Sequence, residues 1–324
     1  MKRNYIDEIN QVKSRNGVSG PLLFRFRLFD LKKQFDYLLS NNNTNVNKFE
    51  LSKYFPIALV ASGEFFFRSM TQLLIDKGDP YSKNAGKFNQ TQNIKFDFEI
   101  VNAIHGKLVS IGEIISHMLS FNNLNDINSN LSIILGKDLI SELKIFNKKT
   151  KIIEEYNQAV ESFQVNHNVI LTDIKRLYEL RHIFCHEFGN PEITNIDEIY
   201  KVFCNSIIFF VICEWYLQNE LYPNSPETTA EMINKANVLF EKSQNELNDV
   251  IKTIKENSNP DENAKLENFI RKWEQYRDDS SEYQSSLYDF GTMQPLIYMT
   301  EKSEITDDFK RTLFKHPNYI NKKN

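Results

Sequence analysis

Along most of the chain the apolar positions recur with helical rather than alternating spacing. "LLFRFRLFDLKKQFDYLLS" (22–40) and "YFPIALVASGEFFFRSMTQLLID" (54–76) predict helices, and further ones are expected over 107–121, 138–160, 167–188 and 196–221. Polar loops follow the first two, "NNNTNVN" (41–47) and "KGDPYSKNAGKFNQTQN" (77–93). Only 10 glycines and 9 prolines punctuate the chain, and no set of strands emerges, so the fold class is all-α. The helical pattern breaks at "LYPNSPETTAE" (221–231), where two prolines interrupt it and a new amphipathic pattern begins. The expected organisation is an N-terminal helical extension (1–49), a helical domain (50–224) and a smaller helical domain (225–324).

Composition narrows the setting. With 324 residues, 41% hydrophobic and 25% charged, the chain is long enough for two domains that each bury a core. The formal net charge is −4, so no global basic field points to nucleic acid or an anionic membrane. The charge is uneven, however. Residues 225–324 carry 14 Lys and Arg against 18 Asp and Glu, whereas the first 224 residues hold 25 of each. A surface for RNA is therefore to be sought in the first part. Cys185, Cys204 and Cys213 lie in apolar segments without metal or disulfide spacing and read as buried thiols. The start lacks the apolar region of a secretory signal. The longest apolar run, Ser206 to Leu217, is too short to span a bilayer and contains Glu214. These features predict a soluble cytoplasmic protein with no membrane partner, and no cofactor is indicated.

The stretch "LYELRHIFCHEFGNP" (177–191) collects the candidate chemistry. At about 100° per residue, Ile170, Ile174, Leu177, Phe184 and Phe188 form one apolar stripe with Arg181 at its centre. A guanidinium so placed needs a partner, because burying it unpaired costs several kcal/mol, roughly. An internal ion pair with a carboxylate such as Glu64 on an earlier helix is one account. His182 and His186, four apart, share a neighbouring face with Lys175 and Glu179. Gly189 and Pro191 end the helix and leave His186 in its last turn. A histidine there can exchange protons near neutrality, and a guanidinium can stabilise phosphate charge, which are the two functions that RNA cleavage by the 2′-hydroxyl requires. Arg181 and His186 point about 140° apart on a straight helix, so either the arginine bends round the helix or a second chain completes the site. Zinc at His182 and His186, with Glu187 as a third ligand, is disfavoured because Ile183 stands where a zinc protease has glutamate. Cys185 has no separately placed base to activate it.

"RHIFCH", Arg181 to His186, is similar to the R-x4-6-H signature of HEPN domains. The resemblance implies a helical bundle that dimerises and acts as a metal-independent endoribonuclease of toxin or antiviral defence systems. Arg181 and His186 would be its catalytic pair, with His182, Glu64 and Glu187 in support. RNA, tRNA or mRNA, would be the substrate, a homodimer would form the composite site, and a regulatory protein or phage trigger would control it. The alternative is a non-catalytic HEPN-like adaptor that binds RNA, nucleotide or protein; the modest charge favours it.

The segment from "INKANVLFEKSQNELNDVIKTI" to "AKLENFIRKWEQYRDDSSEYQ" resembles the LprI-like lysozyme-inhibitor family. Trp273, Tyr276, Arg277 and Asp278 match its Trp-x-x-Tyr-Arg-Asp helix, and Thr306, Arg311 and Phe314 match its closing helix. The family's usual disulfide is missing, since no cysteine follows Cys213. Packing must replace it, and a sensing or restraining role is expected. By helical spacing alone, Trp273 and Tyr276 read as core residues.

Overall fold

A computed structural model describes residues 5–16, 20–41, 47–88, 98–186, 195–288 and 293–320. The described residues are helical, with no strand among them. They fall into two compact units, residues 1–224 and 225–324.

In the first unit the helices are α1 (Tyr5–Asn16), α2 (Gly20–Ser40), α3 (Lys48–Ser52), α4 (Tyr54–Asp76), α5 (Tyr81–Ala85), α6 (Phe98–His105), α7 (Ile111–Met118), α8 (Leu124–Leu135), α9 (Leu139–Ile145), α10 (Glu154–His186) and α11 (Ile196–Leu221). The core forms around α4, α10 and α11. From Phe209 to Leu217 every residue of α11 is buried, as expected of a helix apolar on all sides. Phenylalanines bind these helices together. Phe24 of α2 stacks on Phe66 of α4 at 4.2 Å and meets Phe210 of α11 edge-on at 5.9 Å. Phe35 stacks on Phe55 at 4.1 Å and packs against Phe203. α2 lies in the stretch expected to be an extension, yet Phe24, Leu28, Leu31 and Phe35 belong to the main core. At Gly63 the ring of Phe210 comes so close that a Cβ would sit 2.4 Å from its Cε1.

The helix expected over 138–160 is two helices. Between α9 and α10 the backbone finds side-chain partners instead of helical ones. The Thr150 N–H donates to Asn157 Oδ1 at 2.9 Å, Asn157 Nδ2 returns a bond to Thr150 O at 3.0 Å, and Trp215 Nε1 donates to Lys148 O at 2.8 Å. The helix expected from 167 is the second part of α10, which is interrupted by non-helical φ and ψ at Asn166. The loop expected over 77–93 contains α5. Apolar positions in "LNDINSNLSIIL" form α8, unforeseen in the sequence, capped by the Asn123 side chain on the Asp126 N–H at 2.9 Å and closed by left-handed Gly136.

The second unit consists of α12 (Thr229–Glu256), α13 (Pro260–Ser286), α14 (Gln294–Leu313) and α15 (Pro317–Ile320). α14 packs against both α12 and α13, around Leu247, Val250, Ile254, Leu266, Trp273, Phe309 and Leu313. Asn259 and Glu262 form a capping box that starts α13, with Pro260 in the first turn.

Candidate functional site

The last turns of α10 carry the motif. Ile170, Ile174 and Leu177 are buried, and Arg181, next along the same stripe, is half-buried, as is Phe184. His182 and His186 are exposed, with ring centroids 5.1 Å apart. Arg181 thus leans toward the core while the two histidines face outward. This is the divergence their five-residue offset dictates on a helix. Glu187, Phe188, Gly189 and Pro191 lie outside the described residues.

Glu64, half-buried on α4, is the carboxylate that Arg181 acts on. Burial pushes the Glu64 carboxyl up from its ordinary range, while Arg181 and then Arg68 pull it back down. Arg181 makes no hydrogen bond, and no ion pair within 4 Å, among the described residues. The two groups therefore act on each other through space. One turn back along α10, Tyr178 is buried, and its hydroxyl has no hydrogen-bond partner among the described residues. Burial, then the nearby Glu64 carboxyl, raises the pKa of that phenol.

Beside the histidines a pocket of about 580 Å³ opens between the segment Asn122–Asn125 and Lys175, Tyr178, Glu179 and His182 of α10. Asn123 caps α8, and Glu179 is held by Arg176 at 3.1 Å. Sequence reasoning missed this segment. The signal available was an asparagine N-cap before apolar positions at helical spacing, which identifies a helix start but not the wall it faces.

Cys185 corrects the reading of buried thiols: it is exposed, Cys204 is half-buried and Cys213 is buried. Position 185 follows Phe184 on the turn where the α10 surface swings away from the core. Among the described residues, no three His, Cys, Asp or Glu side chains are gathered as a metal would need, and no helix is long and apolar enough to cross a membrane.

In the second unit the Trp-x-x-Tyr-Arg-Asp segment forms an internal lock. Trp273 stacks on Phe309 of α14 at 4.1 Å. Arg277, 7% exposed, lies 5.0 Å from the ring of Trp273 and 5.5 Å from that of Phe240. It donates to Asp278 Oδ1 and to Gln244 Oε1, each at 2.8 Å. Lys302 of α14 reaches the same Asp278 at 3.0 Å, and these two cations hold its carboxyl below the usual range despite the opposing effect of partial burial. Thr306 is buried, with its hydroxyl on Lys302 O. Tyr276 departs from the core reading. It is 62% exposed, because the α13 face that carries Trp273 and Arg277 turns it outward. Of the other matched positions, Arg311 is exposed and paired with Asp308, and Leu313 rather than Phe314 enters the core.

Residues 223–312 match the family model of the lysozyme inhibitor LprI, so this part of the chain is similar to that helical family. No curated protein and no solved structure matches the chain.

Proposed function

We propose that the first unit is a metal-independent endoribonuclease of the HEPN type, acting as a toxin or antiviral defence effector, and that the LprI-like unit senses or restrains it. The carrying observation is the end of α10: a half-buried Arg181 with no ion pair among the described residues, beside Glu64, next to two exposed histidines 5.1 Å apart.

In the proposed reaction His186 takes the proton of an RNA 2′-hydroxyl as its oxygen attacks the adjacent phosphorus. Arg181 stabilises the charge on the non-bridging oxygens. The bond from phosphorus to the 5′-oxygen breaks, and that oxygen takes a proton from a second imidazole. The products are a 2′,3′-cyclic phosphate and a 5′-hydroxyl. Because Arg181 and His186 diverge within one chain, the working site pairs two copies, each offering its histidines across one cleft. Glu64 orients the guanidinium, and His182 supports His186.

The test incubates wild-type, His186→Ala and Arg181→Ala proteins with total RNA and tRNA in EDTA and analyses the RNA ends. Cleavage by wild type alone, leaving 2′,3′-cyclic phosphate, is the expected result, with both variants keeping the wild-type melting temperature within a few degrees. Equal cleavage by His186→Ala refutes the assignment.

A further inference from the structure

We infer that His182 and His186 form half of a site for a zinc-type divalent ion, that a second copy of the chain supplies the other half, and that an ion held there stops the proposed nuclease. The four-imidazole form rests on the two-copy arrangement proposed above. Within one chain the pair already has the spacing of a chelate. Two histidines four apart share one face of a helix and can bind a single ion. A Zn–N bond of about 2.0–2.1 Å puts each ring centre about 3.2 Å from the metal, and a tetrahedral angle then separates the two centres by about 5.2 Å. The centroids lie 5.1 Å apart, with the ring planes tilted by 49°. Both rings are exposed, so an ion can reach them from solvent. Ile183 removes the general base of a zinc protease but neither of the two ligands.

The surroundings suit a cation. His186 is the last residue of α10, where the carbonyl end of the helix dipole favours positive charge. Glu179, three positions before His182, shares Arg176 with Glu198, at 3.1 and 3.2 Å, so one guanidinium faces two carboxylates. Exposed Lys175 is the opposing charge on this face, and its flexible stem lets the ammonium move into water. Among the described residues no third His, Cys, Asp or Glu is gathered with the pair, and that includes exposed Cys185. A closed zinc site takes four ligands, and two facing pairs of imidazoles supply them. The ion would then hold the lone pair with which His186 accepts the 2′-hydroxyl proton.

In the experiment the full chain, stripped of metal, is titrated with Zn²⁺ by calorimetry while sedimentation follows its mass. The expected result is one ion per two chains, bound in a species with the mass of two chains. Co²⁺ in place of zinc should show the strong visible absorption of a tetrahedral ion. His182→Ala and His186→Ala should each weaken binding by at least the roughly 10–100-fold that losing even an outer partner of a metal ligand costs. Because both rings are exposed, neither variant should shift the melting temperature in EDTA, which separates ligand loss from unfolding. Cys185→Ser should bind as wild type does, and magnesium, which takes oxygen ligands, should not compete. One ion per chain bound by a single copy overturns the inference, as does binding that survives both histidine variants or requires Cys185, or the absence of zinc binding. RNA cleavage with and without zinc separates this inference from the nuclease reading. Zinc bound at one ion per two chains, with no cleavage in EDTA, retains the ion site and removes the nuclease. Cleavage in EDTA that saturating zinc leaves undiminished overturns the inference and retains the nuclease.

Discussion

Glu214 is where the fold makes its sharpest quantitative commitment. It is 2% exposed on α11. Its Oε1 accepts from Gln218 Nε2 at 3.3 Å, and its Oε2 has no partner among the described residues. Burial pushes its carboxyl from 4.5 up to about 7, against the opposing pull of Arg25 and Tyr156. Between those values the folded chain holds a proton that the unfolded chain has released. Stability from this group is therefore fully present below pH 4.5 and is lost as pH rises through about 7. At about 1.4 kcal/mol per unit, the interval is worth roughly 3 kcal/mol. Glu214→Gln preserves the shape and removes the titration. Urea unfolding of wild type and variant across this pH window gives two curves, and groups that titrate alike in both cancel in their difference. That difference should move by roughly 3 kcal/mol in the variant's favour from the acid to the alkaline end. A difference independent of pH would show that the Glu214 carboxylate is ionised and satisfied in the fold, and the reasoning from its burial would be wrong.

Two further substitutions test the packing. Gly63→Ala places a methyl against the ring of Phe210, itself 0% exposed, and should cost about 1–3 kcal/mol by overpacking, read as a lower melting temperature; an unshifted melting curve would mean that α4 and α11 separate freely there. Arg277→Ala in the second unit removes a buried cation from two rings and two hydrogen bonds and should cost about 3 kcal/mol. Trp273 fluorescence in a Trp215→Phe background would follow that loss during urea unfolding. Arg277→Lys should recover little of it, since an ammonium cannot reproduce the planar fork.

What the sequence determined is clearest in α4 and α11. Their expected spans, 54–76 and 196–221, coincide with the helices found, because long apolar runs with polar flanks leave the backbone no better use of its hydrogen bonds than a helix. The all-α class follows from the same periodicity, and the likeness of the C-terminal segment to the LprI family rested on residues spaced along two helices. Partners distant in sequence were decided elsewhere. The segment after α9 is not helical because Asn157 and Trp215 take up its backbone groups. Tyr276 and Cys185 face outward because neighbouring residues one step round the helix fill the available core. A spacing rule gives the angle at which a side chain leaves its helix but not what stands opposite. The through-space action of Arg181 on Glu64 and the asparagine wall facing Lys175 each join segments more than 40 residues apart in the chain. Local propensity carries no information about such distances, and only the packing of α4, α8 and α10 around one core brings these groups together.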